Sequence, residues 1–319
     1  MRKTLHLAIA QMNPTVGDYA QNSRKIISWI AQAEKKGADL IVFPELALSG
    51  YPVWDLANKK RFLQEGIKSL GRIARSTAGK KIAVVLGFIK PGGNGYSSYN
   101  AVAWIEKGKV RSEQYKRLLP TYDVFLERIF FEAGHESRVV KWRNRRIGLT
   151  ICEDIWDERY ELKPLMELKN KKADFVINIS SSPYYRGVAE IRDMLLKKHA
   201  GRYRVPLLYV NQVGGQDDLL FDGRSLFVDA KGRMLFRAPA FSEGLFFFDW
   251  QPSQKEPYPV PIPDWTGKTK EVYKALVMGI RDYFRKNGFH KALVGLSGGI
   301  DSALVATLAV DALGSKAVK

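Results

Sequence analysis

At 319 residues, the chain is long enough for one large domain and part of a second. Its residues are 45% hydrophobic, which allows a substantial core, and its single cysteine excludes an internal disulfide. The N-terminal apolar run is too short for a signal peptide, and no stretch approaches the length of a membrane span. We therefore expect a cytoplasmic protein without membrane contact.

The formal net charge of +18 suggests an anionic partner. The basic residues are scattered, however, and the densest runs, 141–146 and 169–172, are typical of a hairpin turn and of a helix end. The sequence has no basic stripe interleaved with aromatic residues, so no nucleic-acid partner is expected. A non-catalytic module that binds an anion or a nucleic acid stays open as the second alternative.

Short β-branched runs alternate with longer amphipathic stretches along most of the chain. The apolar runs predict strands at 5–12, 38–45, 82–89, 99–106, 146–153, 173–180, 205–212 and 244–250. The amphipathic stretches predict helices at about 20–36, 58–78, 158–171 and 187–203. Hairpins are expected around 106–109 and 229–232. This order predicts a mixed α/β domain with two sheets covered by helices.

The chain changes character after the last of these strands. Five prolines between positions 252 and 263 predict an extended, semi-rigid linker at 251–265. A helix is predicted at about 268–287, and LVGLSGGIDSALVATLAV, at 293–310, predicts a buried strand, a glycine turn and the start of a helix. A doubly wound sheet cannot be buried by so short a piece, so we expect residues 266–319 to form an incomplete domain.

Cys152 lies at the end of a predicted strand, in LTICEDIWDE, where the chain turns toward a helix. A lone cysteine is more often an inert core residue than a nucleophile, yet strand ends in α/β domains carry sites. The usual partner of a nucleophilic cysteine is histidine. No surrounding pattern marks a base at any of the four histidines, His6, His135, His199 and His290. A papain-like Cys/His pair is therefore not expected.

Two other strand ends carry candidate groups. Glu45 follows an apolar strand in VFPELALSGYP, and Lys116 lies where a strand gives way to a proline-containing loop in QYKRLLP. Each residue alone is typical of a surface charge. A carboxylate, an ammonium and the Cys152 thiol at three strand ends favour one shared site.

These stretches resemble the motifs of the nitrilase, or carbon–nitrogen hydrolase, superfamily. FPEL around Glu45, YK around Lys116 and ICED around Cys152 occur in the family's order and at similar spacings. The resemblance covers residues 1–250, and the later stretches NQVGGQ and FDGRSLFVDAKG are similar to the family's closing strands. It implies an α-β-β-α sandwich that pairs through its helical layers, and thus a homo-oligomer.

The resemblance also implies amide hydrolysis by a thiol. A thiol with an ordinary pKa of about 8.5 needs a base or an electropositive setting to attack at neutral pH. Glu45 would take the thiol proton and pass it to departing ammonia, and Lys116 would stabilise the thiolate and the oxyanion. Glu127 resembles the family's additional glutamate, which could hold the ammonium. The backbone N–H of Glu153 is a candidate second oxyanion donor, and a thioester on Cys152 would be cleared by water.

Three longer stretches point to one subgroup. LSGYPVWDL, KRLLPTYDVFLERIFF and SSPYYRG resemble the glutaminase domain of glutamine-dependent NAD synthetases. That resemblance implies that Tyr122 and Ser182 hold the glutamine substrate. The family usually has a lysine just after the glycine of the last stretch. Here Val188 stands at that position, and Arg186 is the candidate to replace its charge.

The stretch SGGIDS differs from a Walker A loop, since it has no lysine to reach a terminal phosphate. A glycine turn before a helix that begins near Asp301 can instead present backbone N–H groups to phosphate. SGGIDS resembles the pyrophosphate loop of ATP pyrophosphatases, the class that includes NAD synthetase domains. The resemblance implies an ATP site at Gly295, Leu296, Ser297, Gly298, Gly299, Ile300, Asp301 and Ser302.

The combined resemblance implies a two-site enzyme. Glutamine hydrolysis would release ammonia for the ATP-dependent amidation of deamido-NAD, with ATP and Mg²⁺ needed at the second site and no cofactor at the first. The family's synthetase domain extends far beyond this loop. We therefore expect this chain to hold the glutaminase half, no metal ligands and no NAD synthesis of its own. A stand-alone amidase or carbamoylase of the same superfamily is the first alternative.

Overall fold

The computed structural model describes residues 4–93, 97–251 and 267–319. Its strands, in chain order, are β1 (Leu5–Gln11), β2 (Leu40–Val42), β3 (Ala83–Pro91), β4 (Ser98–Glu106), β5 (Lys109–Tyr115), β6 (Val139–Trp142), β7 (Arg145–Ile151), β8 (Phe175–Ser180), β9 (Leu207–Asn211), β10 (Val213–Gln216), β11 (Leu219–Asp222), β12 (Leu226–Val228), β13 (Met234–Arg237) and β14 (Gly244–Trp250). Its α-helices are α1 (Tyr19–Lys35), α2 (Lys60–Ser76), α3 (Glu127–Phe130), α4 (Pro164–Asn170), α5 (Val188–Tyr203), α6 (Lys268–Asn287) and α7 (Ile300–Leu313).

Two six-stranded sheets form the body of the protein. Their strand orders are β14-β1-β2-β3-β4-β5 and β13-β12-β9-β8-β7-β6, and β10 and β11 form a separate hairpin. The central strands β1, β2 and β3 are parallel, as are β7, β8 and β9, whereas the flanking pairs are antiparallel. Parallel neighbours need crossover connections, which α1, α2, α4 and α5 provide.

The alternation of side chains along β1 shows how the layers stack. Leu7 and Ile9 belong to the core between the two sheets, whereas Ala8 and Ala10 belong to the core beneath α1 and α2. On the outer face of the second sheet, Leu196 of α5 packs in a third apolar cluster. The layers therefore run helix, sheet, sheet, helix, and the sandwich expected from the sequence is confirmed.

Most predicted elements are confirmed with small shifts at their ends. The largest differences are β2, which is three residues long, and the helix expected over 158–171, which begins only at Pro164. Proline is favoured in the first turn of a helix, where its missing N–H costs no hydrogen bond. The expected hairpins are β4–β5 and β12–β13.

Residues 267–319 carry α6 and α7, which pack against each other, and α6 also packs on β10 and β11. The helix expected at 268–287 is confirmed, but the prediction of a buried strand from residue 293 is wrong. Leu293 and Leu296 are 87% and 68% exposed, and this backbone pairs with residues 317–319 through one bridge and neighbouring hydrogen bonds. A parallel strand becomes buried only when strands and helices cover it on both faces.

The proline-rich segment expected as a linker, 251–265, lies outside the described residues except for its first position. Across the described helices, none combines the length and apolar character needed to cross a bilayer.

Candidate active site

Three strand ends bring the predicted triad together. Glu45 follows β2, Lys116 follows β5 and Cys152 follows β7, and all three side chains are buried. Lys116 Nζ donates hydrogen bonds to Glu45 Oε1 at 2.7 Å and to Glu127 Oε1 at 2.8 Å. The structure thus unites the carboxylate, the ammonium and the supporting glutamate that the sequence marked separately.

Asp154 ties the turn that bears the thiol to the loop that bears the lysine. Its Oδ2 accepts the backbone N–H of Ile151, and its Oδ1 accepts the N–H groups of Arg117 and Leu118, each at 2.9 Å. Burial raises the pKa of Asp154 to about 6, although these backbone donors oppose the rise. Cys152 itself has a φ of 41°, a left-handed conformation that is strained for a residue with a side chain.

Glu45 is fixed by polar contacts that the sequence did not reveal. Its Oε1 accepts a hydrogen bond from Asn100 Nδ2 and its Oε2 accepts one from the backbone N–H of Ser181, both at 2.7 Å. The Ser181 hydroxyl also donates to the backbone carbonyl of Glu45 at 3.0 Å. In the sequence, Asn100 could have been noticed as a polar amide within the largely apolar strand YNAVAWIE. The structure shows that this side chain is buried. These contacts leave the carboxylate in one orientation.

Gly87 on β3 lets the backbone approach the turn that carries Glu45. A Cβ atom at this position would lie 2.3 Å from the carbonyl oxygen of Pro44 and 2.3 Å from the backbone nitrogen of Leu46. Both contacts are with backbone, so no side-chain movement would relieve them. Glycine is therefore required for this close packing.

The lysine is held in its charged form. Although burial lowers the pKa of Lys116, the carboxylates of Glu127 and Glu45 outweigh it and hold that pKa well above its ordinary value. Burial also raises the pKa of Glu127 to about 7, and the hydroxyl of Tyr51 donates to Glu127 Oε1 at 3.0 Å. The ammonium is thus held between two carboxylates.

The thiol has the opposite tendency. Burial raises the pKa of Cys152 well above its ordinary value, and the Glu45 carboxylate raises it further, while Lys116 acts to lower it. The resting group is therefore a neutral thiol, which needs a proton acceptor before it can attack.

A pocket of about 300 Å³ opens over Cys152, and Tyr122, Ser182 and Val188 line it together with Glu153. A wider pocket of about 760 Å³ shares Tyr122 and Glu153 with it. The hydroxyls of Tyr122 and Tyr160 each donate to Glu153 Oε1 at 2.9 Å. The thiol therefore lies at the base of a cleft, beside the buried carboxylate of Glu153.

Arg186 lies elsewhere. It is exposed and lines a separate groove of about 320 Å³ with residues of α6 and α7, whereas Val188 faces the thiol pocket. Gly187 takes a φ of 93° just before α5 begins, and this turn separates the two side chains. The structure therefore does not bring Arg186 to the thiol pocket beside Val188, and the replacement of a lysine charge by Arg186 stays a prediction.

The glycine loop after β14 and α6 is exposed and internally hydrogen-bonded. The Ser297 and Ser302 hydroxyls lie 3.2 Å apart, and Ser302 Oγ donates to the carbonyl of Gly299 at 3.0 Å. Gly298 has a φ of 86°, and α7 begins at Ile300. The first N–H groups of a helix lack partners within it, so this turn has the form of an anion-binding loop. Within the described ranges, no three potential ligand side chains converge to hold a metal.

A family model matches the part of the chain that carries Glu45, Lys116 and Cys152. The carbon-nitrogen hydrolase family model matches residues 6–259. The chain belongs to the carbon-nitrogen hydrolase family. A second model, of NAD synthase, matches residues 272–319 and so includes α7 and the glycine loop.

Relatives of this carbon–nitrogen hydrolase chain include longer proteins. A glutamine-dependent NAD(+) synthetase of Synechocystis sp. is 40% identical over 98% of this chain, which spans 58% of that protein. The solved structure of a glutamine-dependent NAD+ synthetase from Acinetobacter baumannii, in complex with ADP, superposes with a TM-score of 0.90 at 34% identity, covering 99% of this chain and 59% of that one. An amidase from Nesterenkonia sp. shares the fold, with a TM-score of 0.69 at 23% identity, over 79% of this chain and 92% of that one.

Proposed function

We propose that this chain hydrolyses the side-chain amide of glutamine at Cys152 and releases ammonia. The observation that carries the proposal is a buried Glu45–Lys116 ion pair beside a neutral thiol, under a pocket open to solvent. We propose glutamine as the substrate because the synthetases that this chain resembles are glutamine-dependent.

Acylation begins with the proton of the thiol. Glu45 accepts that proton while the sulfur attacks the amide carbon, and Lys116 stabilises the negative charge that develops on the carbonyl oxygen. The backbone N–H of Glu153, the residue after the nucleophile, is the second donor to this oxyanion. When the carbon–nitrogen bond breaks, Glu45 passes the proton to the departing ammonia, and a thioester remains on Cys152.

Deacylation repeats these steps with water. Glu45 takes a proton from water as its oxygen attacks the thioester carbon, and the proton then returns to the sulfur as the carbon–sulfur bond breaks. Glutamate leaves and the thiol is restored, so the overall change is glutamine plus water to glutamate plus ammonia. Glu127 positions the Lys116 ammonium throughout by its 2.8 Å hydrogen bond.

The pocket residues give the substrate its orientation. We assign Tyr122 and Ser182 to glutamine binding because both line the thiol pocket. The Glu153 carboxylate also lines it, and its negative charge is suited to the α-ammonium of an amino acid substrate. Val188 supplies an apolar wall without a charge for the substrate carboxylate.

The second half of the proposal concerns residues 266–319, after a hydrolase domain at 1–250 and a linker at 251–265. The loop 295–302 is assigned to ATP, and the ammonia would be used to amidate deamido-NAD. The NAD synthase match and the loop geometry support this assignment. Magnesium would accompany the ATP phosphates and neutralise part of their charge. We also propose that the protein is a homo-oligomer, that it acts in the cytoplasm and that it has no nucleic-acid partner.

A substrate comparison tests the hydrolase half. Ammonia release is measured with glutamine, with small aliphatic amides and with N-carbamoyl amino acids at matched concentrations. We expect the highest kcat/KM for glutamine. A clear preference for an aliphatic amide or a carbamoyl compound would instead support the stand-alone amidase or carbamoylase.

A further inference from the structure

The segment 182–186 lies between the thiol pocket and the α6–α7 pair. Ser182, Pro183 and Tyr185 line the thiol pocket, whereas Arg186 lines the groove beside α6 and α7. Burial and the carboxylate of Glu271, on α6, raise the pKa of Tyr184 to about 12, so this side chain lies close to that helix. This short segment therefore borders both the thiol pocket and the groove beside α6 and α7.

A chain of polar contacts runs from α6 toward the same segment. Glu271 Oε2 lies 3.2 Å from Arg224 Nη2, and Arg224 Nε lies 3.9 Å from Asp222 Oδ2. Asn211 Nδ2 donates to the other oxygen of Asp222 at 3.3 Å. Each link joins a different element, so the contacts cross from α6 through the loop after β11 to the end of β9.

The last link fixes the wall of the thiol pocket. Asn211 Oδ1 accepts the backbone N–H of Ser182 at 2.9 Å, and Asn211 Nδ2 donates to the Ser182 carbonyl at 3.3 Å. The side chain of Asn211 thus holds both backbone groups of one pocket residue. A rotation of Asn211 would move Ser182.

The end of this path at Asn211 and Asp222 is buried, which strengthens its electrostatic contacts, although Arg224 approaches Asp222 only to 3.9 Å. Asn211 and Asp222 are completely buried, and Arg192, which is also buried, donates to Asp222 Oδ1 from two nitrogens at 3.0 and 3.1 Å. Charges in such surroundings interact more strongly than they do in water, and a charge that loses its partner is costly. The position of Arg224 therefore affects the groups that Asp222 holds.

Residues other than Glu271 also anchor α6. Farther along the helix, Asp282 accepts hydrogen bonds from Asn13 Nδ2 at 2.7 Å and from the backbone N–H of Gly215 at 2.8 Å. Lys286 donates to the carbonyl of Pro14 at 2.8 Å. These contacts hold the C-terminal half of α6 on the hydrolase domain and do not involve the Glu271–Arg224 pair.

We infer that Glu271 and Arg224 are positioning residues that set the shape of the substrate pocket, acting through Asp222 and Asn211 on Ser182. This inference rests on the proposed hydrolysis of glutamine.

The test is the split between KM and kcat in the 319-residue chain. We expect Glu271→Gln to raise KM for glutamine by about 3- to 10-fold and to change kcat by less than about twofold. Arg224→Gln should act similarly, and the double variant should show less than the product of the two effects, because both act through one path. Lys274→Gln, an exposed charge change one turn along α6, is the matched control and should keep the wild-type KM.

Two further measurements separate this inference from other causes. The rate of alkylation of Cys152 by iodoacetamide should be the same in every variant, since the triad is untouched, and thermal unfolding confirms that each variant is folded. If Glu271→Gln fails to fold, Glu271→Asp, which keeps the charge but shortens the reach to Arg224, should raise KM in the same direction by a smaller factor. A wild-type KM in the folded Glu271 and Arg224 variants, or an equal rise in Lys274→Gln, overturns the inference. Absence of glutamine hydrolysis in the wild type instead overturns the proposed function.

Discussion

Lys116 Nζ lies 2.7 Å from Glu45 Oε1, and both side chains are completely buried. Two charges in this position are costly to desolvate, and the cost is offset only because each makes further hydrogen bonds. Glu127 takes a second hydrogen bond of the ammonium, while Asn100 and Ser181 donate to the carboxylate. The arrangement holds a proton acceptor and a positive charge in fixed positions beside Cys152, before any substrate arrives.

The first prediction concerns the thiol. Because the Glu45 carboxylate raises the pKa of Cys152 and Lys116 lowers it, Glu45→Gln should lower that pKa and Lys116→Met should raise it. Both variants should lose hydrolysis. Ultraviolet absorbance of the thiolate, followed through a pH titration against Cys152→Ala as the blank, measures the shift. Shifts of the same sign in the two variants would contradict the assigned charges.

A second prediction concerns stability and pH. Burial raises the pKa of Glu127 from 4.5 to about 7, so between these values the folded protein binds more protons than the unfolded chain. The free energy of unfolding should therefore fall as pH rises through this range. Urea unfolding at several pH values should show a smaller fall for Glu127→Gln. An unchanged pH dependence in that variant would show that Glu127 does not take up the proton.

The third prediction tests the close packing at Gly87. Gly87→Ala should displace the turn that carries Glu45, reduce kcat and destabilise the fold by about 1–3 kcal/mol. Gly71→Ala, within α2, meets only an ordinary 3.4 Å contact with Arg75 and should stabilise by about 0.5–1 kcal/mol with activity unchanged. Denaturant unfolding and ammonia release measure both variants. Full activity in Gly87→Ala would show that the turn is not constrained as described.

The fourth prediction tests the uncharged wall of the pocket. Since Val188 lines the pocket over Cys152, Val188→Lys places an ammonium where the carboxylate of glutamine can reach it. We expect KM for glutamine to fall by about 3- to 10-fold, as a charge-assisted hydrogen bond forms. Val188→Met, which adds length without charge, should not lower it. Equal KM values in the two variants would show that this wall does not face the substrate carboxylate.

Much of the fold followed from the sequence because its apolar runs are regular. Leu7 and Ile9 alternate with Ala8 and Ala10, so β1 was visible as a strand buried on both faces. The buried strand expected from Leu293 was also predicted from a regular apolar run, but that prediction was wrong. Its apolar residues indicate a buried strand, but burial depends on neighbouring strands, and Leu293 is largely exposed.

Some residues of the candidate site could be predicted from the sequence and others could not. Glu45, Lys116 and Cys152 could be found because each follows a strand within a short motif. Asn100 and Ser181 could not, because their contacts with Glu45 depend on sheet register and on the packing of the two sheets. Arg186 was expected beside Val188 from its nearness in sequence, whereas in the structure the two side chains line different cavities on either side of the turn at Gly187.

The most direct test of the account is ammonia release from glutamine by the wild-type chain and by Cys152→Ala, measured side by side. The account predicts that the wild type releases ammonia and glutamate in equal amounts and that Cys152→Ala releases neither. The melting temperature of Cys152→Ala should be similar to that of the wild type, which shows that the variant is folded. Continued release of ammonia by Cys152→Ala at the wild-type rate would contradict the proposed mechanism.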